Sequence, residues 1–188
     1  MAMILGVILL SLAIGVVLWY VGAYNMFVRL RQEVKNAWSQ IDVQLKRRHD
    51  LIPNLVESVK GYIAHERATL ENVTKARNQA VGVPAGNLQE KAQAENMLTQ
   101  TLRSLFAVVE RYPDLKANQN VMALQEELTS TENRISFSRQ FYNDQAMRLN
   151  TAIETVPTNV VAGSGGFTKV EFFEIEDPVH RQAPQVKL

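Results

Sequence analysis

The sequence predicts an all-α protein with an N-terminal transmembrane helix, an elongated antiparallel bundle of three to four long helices, and an extended C-terminal tail. Three observations lead to this prediction. The first charged residue is Arg29, and residues 4–24 are almost entirely apolar. From Phe27 onward, apolar residues recur at steps of three and four, the spacing of amphipathic helices. Turn signals at residues 81–87 and 112–114 divide this pattern into segments with short connections, as in antiparallel bundles.

Length and composition limit the domain organisation and the class of function. The chain has 188 residues, a formal net charge of +1 and no cysteine. This length suits one domain with appendages, so we expect a transmembrane anchor at residues 1–28, a helical bundle domain at 29–157 and a C-terminal tail at 158–188. The near-neutral charge argues against binding to nucleic acid. Without cysteine, the chain has no disulfide, no thiolate metal site and no cysteine nucleophile.

The N-terminal apolar run is predicted to cross a membrane once. A bilayer core requires about 20 apolar helical residues, and this run supplies them. A cleaved signal peptide would have a basic start and a shorter apolar stretch, and neither is present. Trp19, Tyr20 and Tyr24 fit an interfacial aromatic belt, or they are simply helix residues that face lipid. Basic residues follow the run from Arg29 to Arg48, so the positive-inside rule places the bundle in the cytoplasm.

Three helical segments are predicted to form the bundle. The first begins at Phe27, and its roughly fifty residues would span about 75 Å as one straight helix, which suggests a rod. Pro53 removes the hydrogen bond to the His49 carbonyl group, so we expect a kink or a short break near Asp50 to Pro53. The second and third segments cover residues 88–111 and 118–154, and Val156-Pro157 ends the third.

The tail is predicted to carry an apolar clip over residues 167–175. The glycine-rich residues 162–166 before it are expected to be flexible. Phe167, Phe172 and Phe173, together with Ile175, are too apolar for a free tail. They dock either onto the bundle of the same chain or onto a neighbouring subunit. The polar residues 177–188 are expected to be loose.

Several polar residues interrupt the apolar stripes. Arg48 falls on the stripe of the first helix, and Thr131 and Ser138 fall on that of the third. These residues either form a buried polar layer that fixes helix register, or they point outward because the helices supercoil. Buried charge is tolerated only when it is paired.

No motif for catalysis or for metal binding is complete in this sequence. His65-Glu66 begins like a zinc-protease motif, but Thr69 stands where the second histidine is needed. The glycines at 163–166 lack the lysine and the serine or threonine of a phosphate loop, and no nucleophile elbow occurs. We therefore expect no catalytic residue, no cofactor and no metal, and a protein that is not an enzyme.

Long motifs spread over almost the whole chain closely resemble those of the LemA family. They are AWSQIDVQLKRR at residues 37–48, DLIPNLV at 50–56, VKGY at 59–62, YPDLKA at 112–117 and ENRI at 132–135, with smaller matches at 24–25, 65–66, 139 and 141–143. The resemblance implies a single-pass protein of the bacterial cell (inner) membrane with an antiparallel helical bundle. No enzymatic activity is established for the family.

The resemblance also bears on partners and on the side of the membrane. Relatives encoded beside membrane proteases or small envelope domains imply a partner or scaffold role. Other relatives carry a lipoprotein cysteine just before the pair that matches Tyr24-Asn25, which implies an extracytoplasmic bundle. This sequence has Gly22-Ala23 there, so the lipid anchor is absent and the extracytoplasmic location stays an alternative.

The family motifs suggest one candidate site, a polar cluster that joins the first and third helices. A proline in a helix frees backbone carbonyl groups, which asparagine or arginine side chains can satisfy. The cluster is either structural or a surface that binds a partner. Its predicted members lie around Pro53 and opposite it, namely Arg47, Arg48, Asp50, Asn54, Glu132, Asn133, Arg134 and Arg139.

These observations predict a non-catalytic, membrane-anchored helical scaffold or adaptor in the bacterial envelope. It would associate with itself, recruit membrane partners, or do both. The expected partners are the lipid bilayer, further copies of the chain, and a membrane protease or other envelope protein, but not nucleic acid. The alternatives are a ligand-binding or enzymatic module that uses the polar cluster, and an assembly that remodels membranes.

Overall fold

The computed structural model describes residues 1–84 and 86–173, and this part of the chain contains helices and no strand, which confirms the all-α fold. Its six α-helices are α1 (Ala2–Lys60), α2 (Arg67–Gly82), α3 (Leu88–Val109), α4 (Pro113–Lys116), α5 (Gln119–Glu154) and α6 (Thr158–Gly165), and a 3₁₀ turn at Ala64–Glu66 precedes α2. The observed α3 and α5 agree with the predicted second and third segments to within two residues. Ile175 and residues 177–188, two parts of the predicted tail, lie outside the described residues.

Helix α1 continues through Pro53, so the predicted break near that residue is wrong. Proline cannot donate to the carbonyl group four residues earlier, which is that of His49. In this chain Arg77 of α2 replaces the missing donor, because its Nε–H donates to the His49 carbonyl oxygen at 3.2 Å. The carbonyl group is therefore satisfied without a break in α1.

The first predicted segment is instead interrupted at Gly61–Ile63, after which the chain reverses into α2. The backbone N–H groups of Tyr62 and Ile63 donate to the Val59 carbonyl oxygen at 3.0 and 3.1 Å, which closes the end of α1. Ile63 is fully buried at this turn. Arg77 of α2 then contacts His49 of α1, so α2 runs back along α1.

The contacts of the chain separate it into two units. The second unit comprises Ile41–Arg139 with Phe172 and Phe173, and it is a bundle of α1, α2, α3 and α5. Lys91 donates to the Ala80 carbonyl oxygen at 3.3 Å and Arg111 pairs with Glu66 at 3.2 Å, so α2 and α3 are antiparallel. Tyr62 accepts from Asn118 at 3.4 Å while Arg48 pairs with Glu132, so α1 and α5 are antiparallel too.

An apolar core holds these four helices together. Each buried leucine or isoleucine contributes about 1.5–3 kcal/mol to folding relative to an exposed one. The fully buried members from α1, α3 and α5 lie on one stripe of each helix and include Ile52, Leu55, Val59, Leu98, Leu102, Leu105 and Leu128.

The first unit comprises Met1–Gln40 and Gln140–Glu171, and it contains α6. The rings of Trp38 and Tyr142 meet edge to face, with centroids 5.7 Å apart. The Asn150 side chain on α5 makes two hydrogen bonds with the backbone of Val170. Its Nδ2 donates to the Val170 carbonyl oxygen, and its Oδ1 accepts from the Val170 N–H, each at 2.9 Å. Tyr142 donates to the Glu171 carbonyl oxygen at 2.9 Å, so the segment after α6 is fixed along α5.

The first two dozen residues of α1 have almost no protein around them. The most apolar 18-residue window has a mean hydropathy of 2.7, and none of it is buried by residues 1–84 or 86–173. Ala23 is the first buried residue along α1. By length and composition, this part of α1 is able to cross a membrane.

The structure corrects the prediction that residues 162–166 are flexible. Ala162 lies inside α6 and is buried. Helix α6 ends at Gly165, and Gly166 adopts the left-handed conformation with φ of 67°, its N–H bonded to the Ala162 carbonyl oxygen. Glycine is favoured at this position because it has no Cβ atom to clash. The glycines therefore belong to the end of α6 and do not form a flexible linker.

We expect Arg77→Met to lower the free energy of unfolding by about 1–3 kcal/mol, because the His49 carbonyl group loses its side-chain donor. The loss should be smaller in a chain that also carries Pro53→Ala, since that substitution restores the backbone donor. Urea unfolding of the full chain in mild detergent, followed by far-UV circular dichroism, measures both losses. Equal losses in the two backgrounds would contradict this role of Arg77.

Candidate functional site

Arg48 lies at the centre of a buried group of polar side chains from α1, α3 and α5. Its side chain is fully buried. One guanidinium nitrogen, Nη2, pairs with Glu95 of α3, and the other, Nη1, pairs with Glu132 of α5. Nη1 also donates to Thr99 Oγ1 at 2.8 Å. We call this group the charge cluster, and its members are Arg48, His49, Glu95, Asn96, Thr99, Glu132 and Arg139.

Glu95 is the most deeply buried acid of the charge cluster. Its carboxylate is fully enclosed, and His49 Nε2 lies 3.1 Å from Oε1 and 3.3 Å from Oε2. Burial by itself would raise the pKa of Glu95. The hydrogen bond with His49 and the positive charge of Arg48 outweigh burial, and they bring the pKa below its usual value of 4.5. Glu95 is therefore an ionised carboxylate at neutral pH.

Arg139 brings a second buried positive charge, from the same face of α5 as Glu132. Its Nη1 donates to Asn96 Oδ1 at 3.1 Å, and its guanidinium carbon lies 4.6 Å from the ring centroid of Phe173. Within the described residues, Nε and Nη2 of Arg139 make no hydrogen bond. Burial, together with the charge of Arg48, lowers the pKa of Arg139 to about 10. Arg139 still carries its charge at neutral pH.

The charges of the cluster balance one another. Two arginines face two glutamates, Arg48 with Glu95 and Glu132 at the centre and Arg139 beside them. A buried ion pair is tolerated when each charge keeps its partners, whereas removal of one partner is strongly destabilising. The arrangement therefore favours one relative placement of α1, α3 and α5.

The structure brings together three of the eight residues predicted for this site, Arg48, Glu132 and Arg139. The other five lie on exposed helix surface, which corrects the predicted membership: Arg47, Asp50, Asn54, Asn133 and Arg134. Helix geometry explains the division, since neighbouring residues point about 100° apart while residues seven apart, such as Glu132 and Arg139, nearly coincide. Arg47 pairs instead with Glu127 at 2.8 Å, and Asp50 with Lys46 at 2.8 Å.

The polar residues that interrupt the apolar stripes are buried rather than turned outward. Thr131 is buried like Arg48, and Ser138 is half-buried. The hydroxyl group of Thr131 donates to the Glu127 carbonyl oxygen of its own helix at 2.8 Å. These positions therefore agree with the predicted polar layer and not with the alternative that they point outward.

The sequence reasoning missed Glu95, His49, Asn96 and Thr99. A signal for Glu95 existed, because it stands on the apolar stripe of α3 between Ala92 and Leu98, all of which are buried. Glu95 interrupts the stripe of α3 in the same way as Arg48 interrupts that of α1 and Thr131 that of α5.

Two of the three phenylalanines of the predicted clip dock onto the same chain. Phe167 stacks on Phe27 with centroids 5.0 Å apart and meets Tyr24 edge to face at 5.4 Å. Phe173 is buried against Arg139, while Phe172 keeps 42% of its surface exposed. Phe167 and Phe173 therefore dock onto the bundle of the same chain, the first of the two predicted alternatives.

Neither a metal site nor an open cavity accompanies the charge cluster. Over residues 1–84 and 86–173, no group of three or more histidine, aspartate or glutamate side chains is placed to hold a metal ion. A groove with a volume of about 920 Å³ lies between α1 and α2. Its lining residues, which include Glu57, Lys60, Leu70 and Lys75, are not members of the charge cluster.

Comparison with known proteins gives consistent matches. A sequence model of the LemA family matches residues 37–188. Protein LemA of Metamycoplasma hominis is 28% identical over 158 residues, which cover 84% of this chain and 72% of that protein. Magnetosome protein MamQ 1 of Paramagnetospirillum magneticum is 26% identical over 175 residues. MamQ of Magnetospirillum gryphiswaldense is 26% identical over 174 residues.

The match to the magnetosome proteins is partial in length. It covers 80% of this chain but only 64% of either MamQ protein. The chain thus spans less than two thirds of those relatives. The names of these relatives state no catalytic activity.

Arg48→Met should lower the free energy of unfolding by about 3–5 kcal/mol, because the buried Glu95 would lose the guanidinium group that pairs with it and would be left with the more distant Lys91, at 3.9 Å. Lys46→Met is the matched control, since Lys46 forms an exposed pair two positions earlier on the same helix, and it should leave stability unchanged. Urea unfolding of the full chain in mild detergent measures both variants. Equal, small effects would mean that the buried pairs contribute no more than surface pairs.

The lowered pKa of Glu95 also predicts a pH dependence. Its ionised form stabilises the fold, so this contribution is complete above the usual carboxyl pKa of 4.5 and is lost as the pH falls through the lower folded-state pKa. Glu95→Gln should therefore reduce the loss of stability that wild type shows on acidification below pH 4.5. Asp50→Asn is the control, because the lowered pKa of Asp50 comes from an exposed pair with Lys46. If the free energy of unfolding of Glu95→Gln falls with pH in parallel with that of wild type, the stabilising role of the ionised Glu95 is contradicted.

Proposed function

Because the chain belongs to the LemA family of membrane-associated helical proteins, we propose that it is a non-catalytic, membrane-anchored scaffold or adaptor. In this proposal the protein associates with itself and recruits membrane proteins in the bacterial envelope. The observation that carries the proposal is the apolar start of α1, whose most apolar window is not buried against any of the described residues.

Exposed apolar surface supports the anchor. Large apolar side chains from Met3 to Leu18 each keep about half or more of their surface exposed, as Leu12 does at 64%. In water this surface would be strongly unfavourable, whereas in a bilayer core it contacts lipid chains. The first charged residues, Arg29 and Arg31, follow the apolar run, and by the positive-inside rule the bundle then lies in the cytoplasm.

The electrostatics of the charge cluster support a non-catalytic role. A carboxylic acid that works as general acid or base near neutral pH needs a pKa raised toward the working pH. The pKa of Glu95 is shifted in the opposite direction, by His49 and Arg48. Arg48 pairs with glutamates from two other helices, so the cluster joins α1, α3 and α5.

An exposed aromatic side chain supports association with another protein chain. Phe137 of α5 keeps 73% of its surface exposed, more than any other aromatic residue in the described part of the chain. Aromatic residues are enriched in the cores of protein interfaces. We propose that the surface around Phe137 contacts a second copy of the chain.

The experiment is extraction of the full chain in mild detergent, followed by mass measurement and identification of co-purifying proteins. A discrete homo-oligomer or a complex with an envelope protein supports the proposal. A monomer with no protein partner contradicts it, and a small molecule that stays bound at the charge cluster would favour a ligand-binding module.

Phe137→Gln should shift the homo-oligomer toward smaller species in the same mass measurement, because an apolar contact is lost. Met97→Gln is the matched control, since Met97 of α3 is 53% exposed and should not change the mass. A mass distribution of Phe137→Gln identical to wild type would exclude Phe137 from the interface.

A further inference from the structure

We propose that α6 and the turn before it form a second membrane-contacting surface, seated in the interfacial layer of the bilayer beside the end of the transmembrane run. The inference rests on the proposed anchor and adds to it. It assigns a function to a segment that neither the charge cluster nor the anchor explains.

Helix α6 is held directly against the end of the apolar run. The hydroxyl groups of Tyr20 and Ser164 are hydrogen-bonded at 2.9 Å. Val161 and Ala162 form the buried side of α6. Phe167, just after the helix, packs on Tyr24 and on Phe27. Wherever Tyr20 and Tyr24 sit in the bilayer, α6 is therefore at the same depth.

Helix α6 lies so close to Tyr24 that only a glycine fits at position 165. A Cβ atom at Gly165 would come within 2.7 Å of the Phe167 ring and 3.2 Å of the Tyr24 ring. The helix thus approaches α1 closely at a glycine. This contact fixes which side of α6 faces away from α1.

The outer side of α6 has the composition of a membrane-interface segment. No charged residue occurs between Glu154 and Lys169. Val156 and Val160 keep 75% and 65% of their surfaces exposed, although both are apolar. Apolar surface is favoured out of water, and the exposed Asn159 beside Val160 offers a polar group to lipid headgroups.

Neighbouring residues favour lipid over a second protein chain as the occupant of this surface. Trp19, Tyr20 and Tyr24 each keep about two fifths of their surface exposed, as aromatic residues of an interfacial belt do. The Arg31 guanidinium lies 5.3 Å from the Phe167 ring centroid, while the charges at the two ends of the uncharged stretch, Glu154 and Lys169, pair with each other. An uncharged apolar surface beside interfacial aromatic residues and Arg31 suits the surface of an anionic bilayer.

The absence of cysteine makes a labelling test direct, because each single-cysteine variant carries one probe. Val160→Cys probes the proposed surface. Val43→Cys is the matched control, an exposed valine at 62% that lies about 28 Å along α1 from Tyr24. Leu12→Cys, 64% exposed, probes the anchor itself. Each variant is labelled with an environment-sensitive fluorophore and reconstituted into vesicles of phosphatidylcholine and phosphatidylglycerol with nitroxide-bearing lipids.

We expect the Val160→Cys probe to be blue-shifted and quenched by shallow nitroxides, at a depth of about 5–10 Å below the headgroups. The Leu12→Cys probe should be quenched by deep nitroxides, and the Val43→Cys probe by neither. If Val160→Cys behaves like Val43→Cys while Leu12→Cys is quenched, the second surface is wrong and the anchor stands. If Leu12→Cys is not quenched, the anchor itself fails. A Val160→Cys probe shielded from water, unquenched by lipid nitroxides and self-quenched between chains would show a second copy there and overturn the inference.

Discussion

The burial of the Arg48 guanidinium among α1, α3 and α5 is the constraint on which the bundle depends. A charge in that position is tolerable only while Glu95 and Glu132 both face it, and each of these acids comes from a different helix. Apolar side chains supply most of the cohesion of the core, but apolar contacts tolerate sliding of one helix along another. The ion pairs discriminate against such displacements, because a shift of one turn would separate Arg48 from its partners. We therefore regard the cluster as the feature that sets the register of the bundle.

Residues 48 and 49 together reach all three other long helices of the bundle. Arg48 contacts α3 and α5, the His49 ring contacts Glu95 of α3, and the His49 carbonyl group accepts from Arg77 of α2. The last contact exists because Pro53 leaves that carbonyl group free. The proline thus creates an acceptor that ties α2 to α1, and the same turn of α1 carries the charge that ties α1 to α3 and α5.

The sequence predicted the elements better than their junctions. Apolar periodicity placed α3 and α5 to within two residues, and the apolar run identified the exposed start of α1. Pro53 was expected to kink α1 or to break it, but α1 continues through Pro53 as one helix, and the side chain of Arg77 satisfies the carbonyl group that the proline frees. The site was predicted in part, because Arg48 stands on an apolar stripe, whereas Arg47 and Asp50 were included as family-motif residues around Pro53. Their direction on the helix, about 100° and 200° from Arg48, excludes them.

A double-mutant cycle between Arg48 and Glu95 tests this account most directly. It compares the free energies of unfolding of the full chain in mild detergent for Arg48→Met, for Glu95→Gln and for the two together. The account predicts a coupling free energy of about 1–3 kcal/mol, because each residue destabilises the bundle mainly when the other is left alone. Additive effects, with a coupling free energy near zero, would show that the two charges do not depend on each other and would contradict the role of the cluster in setting the register.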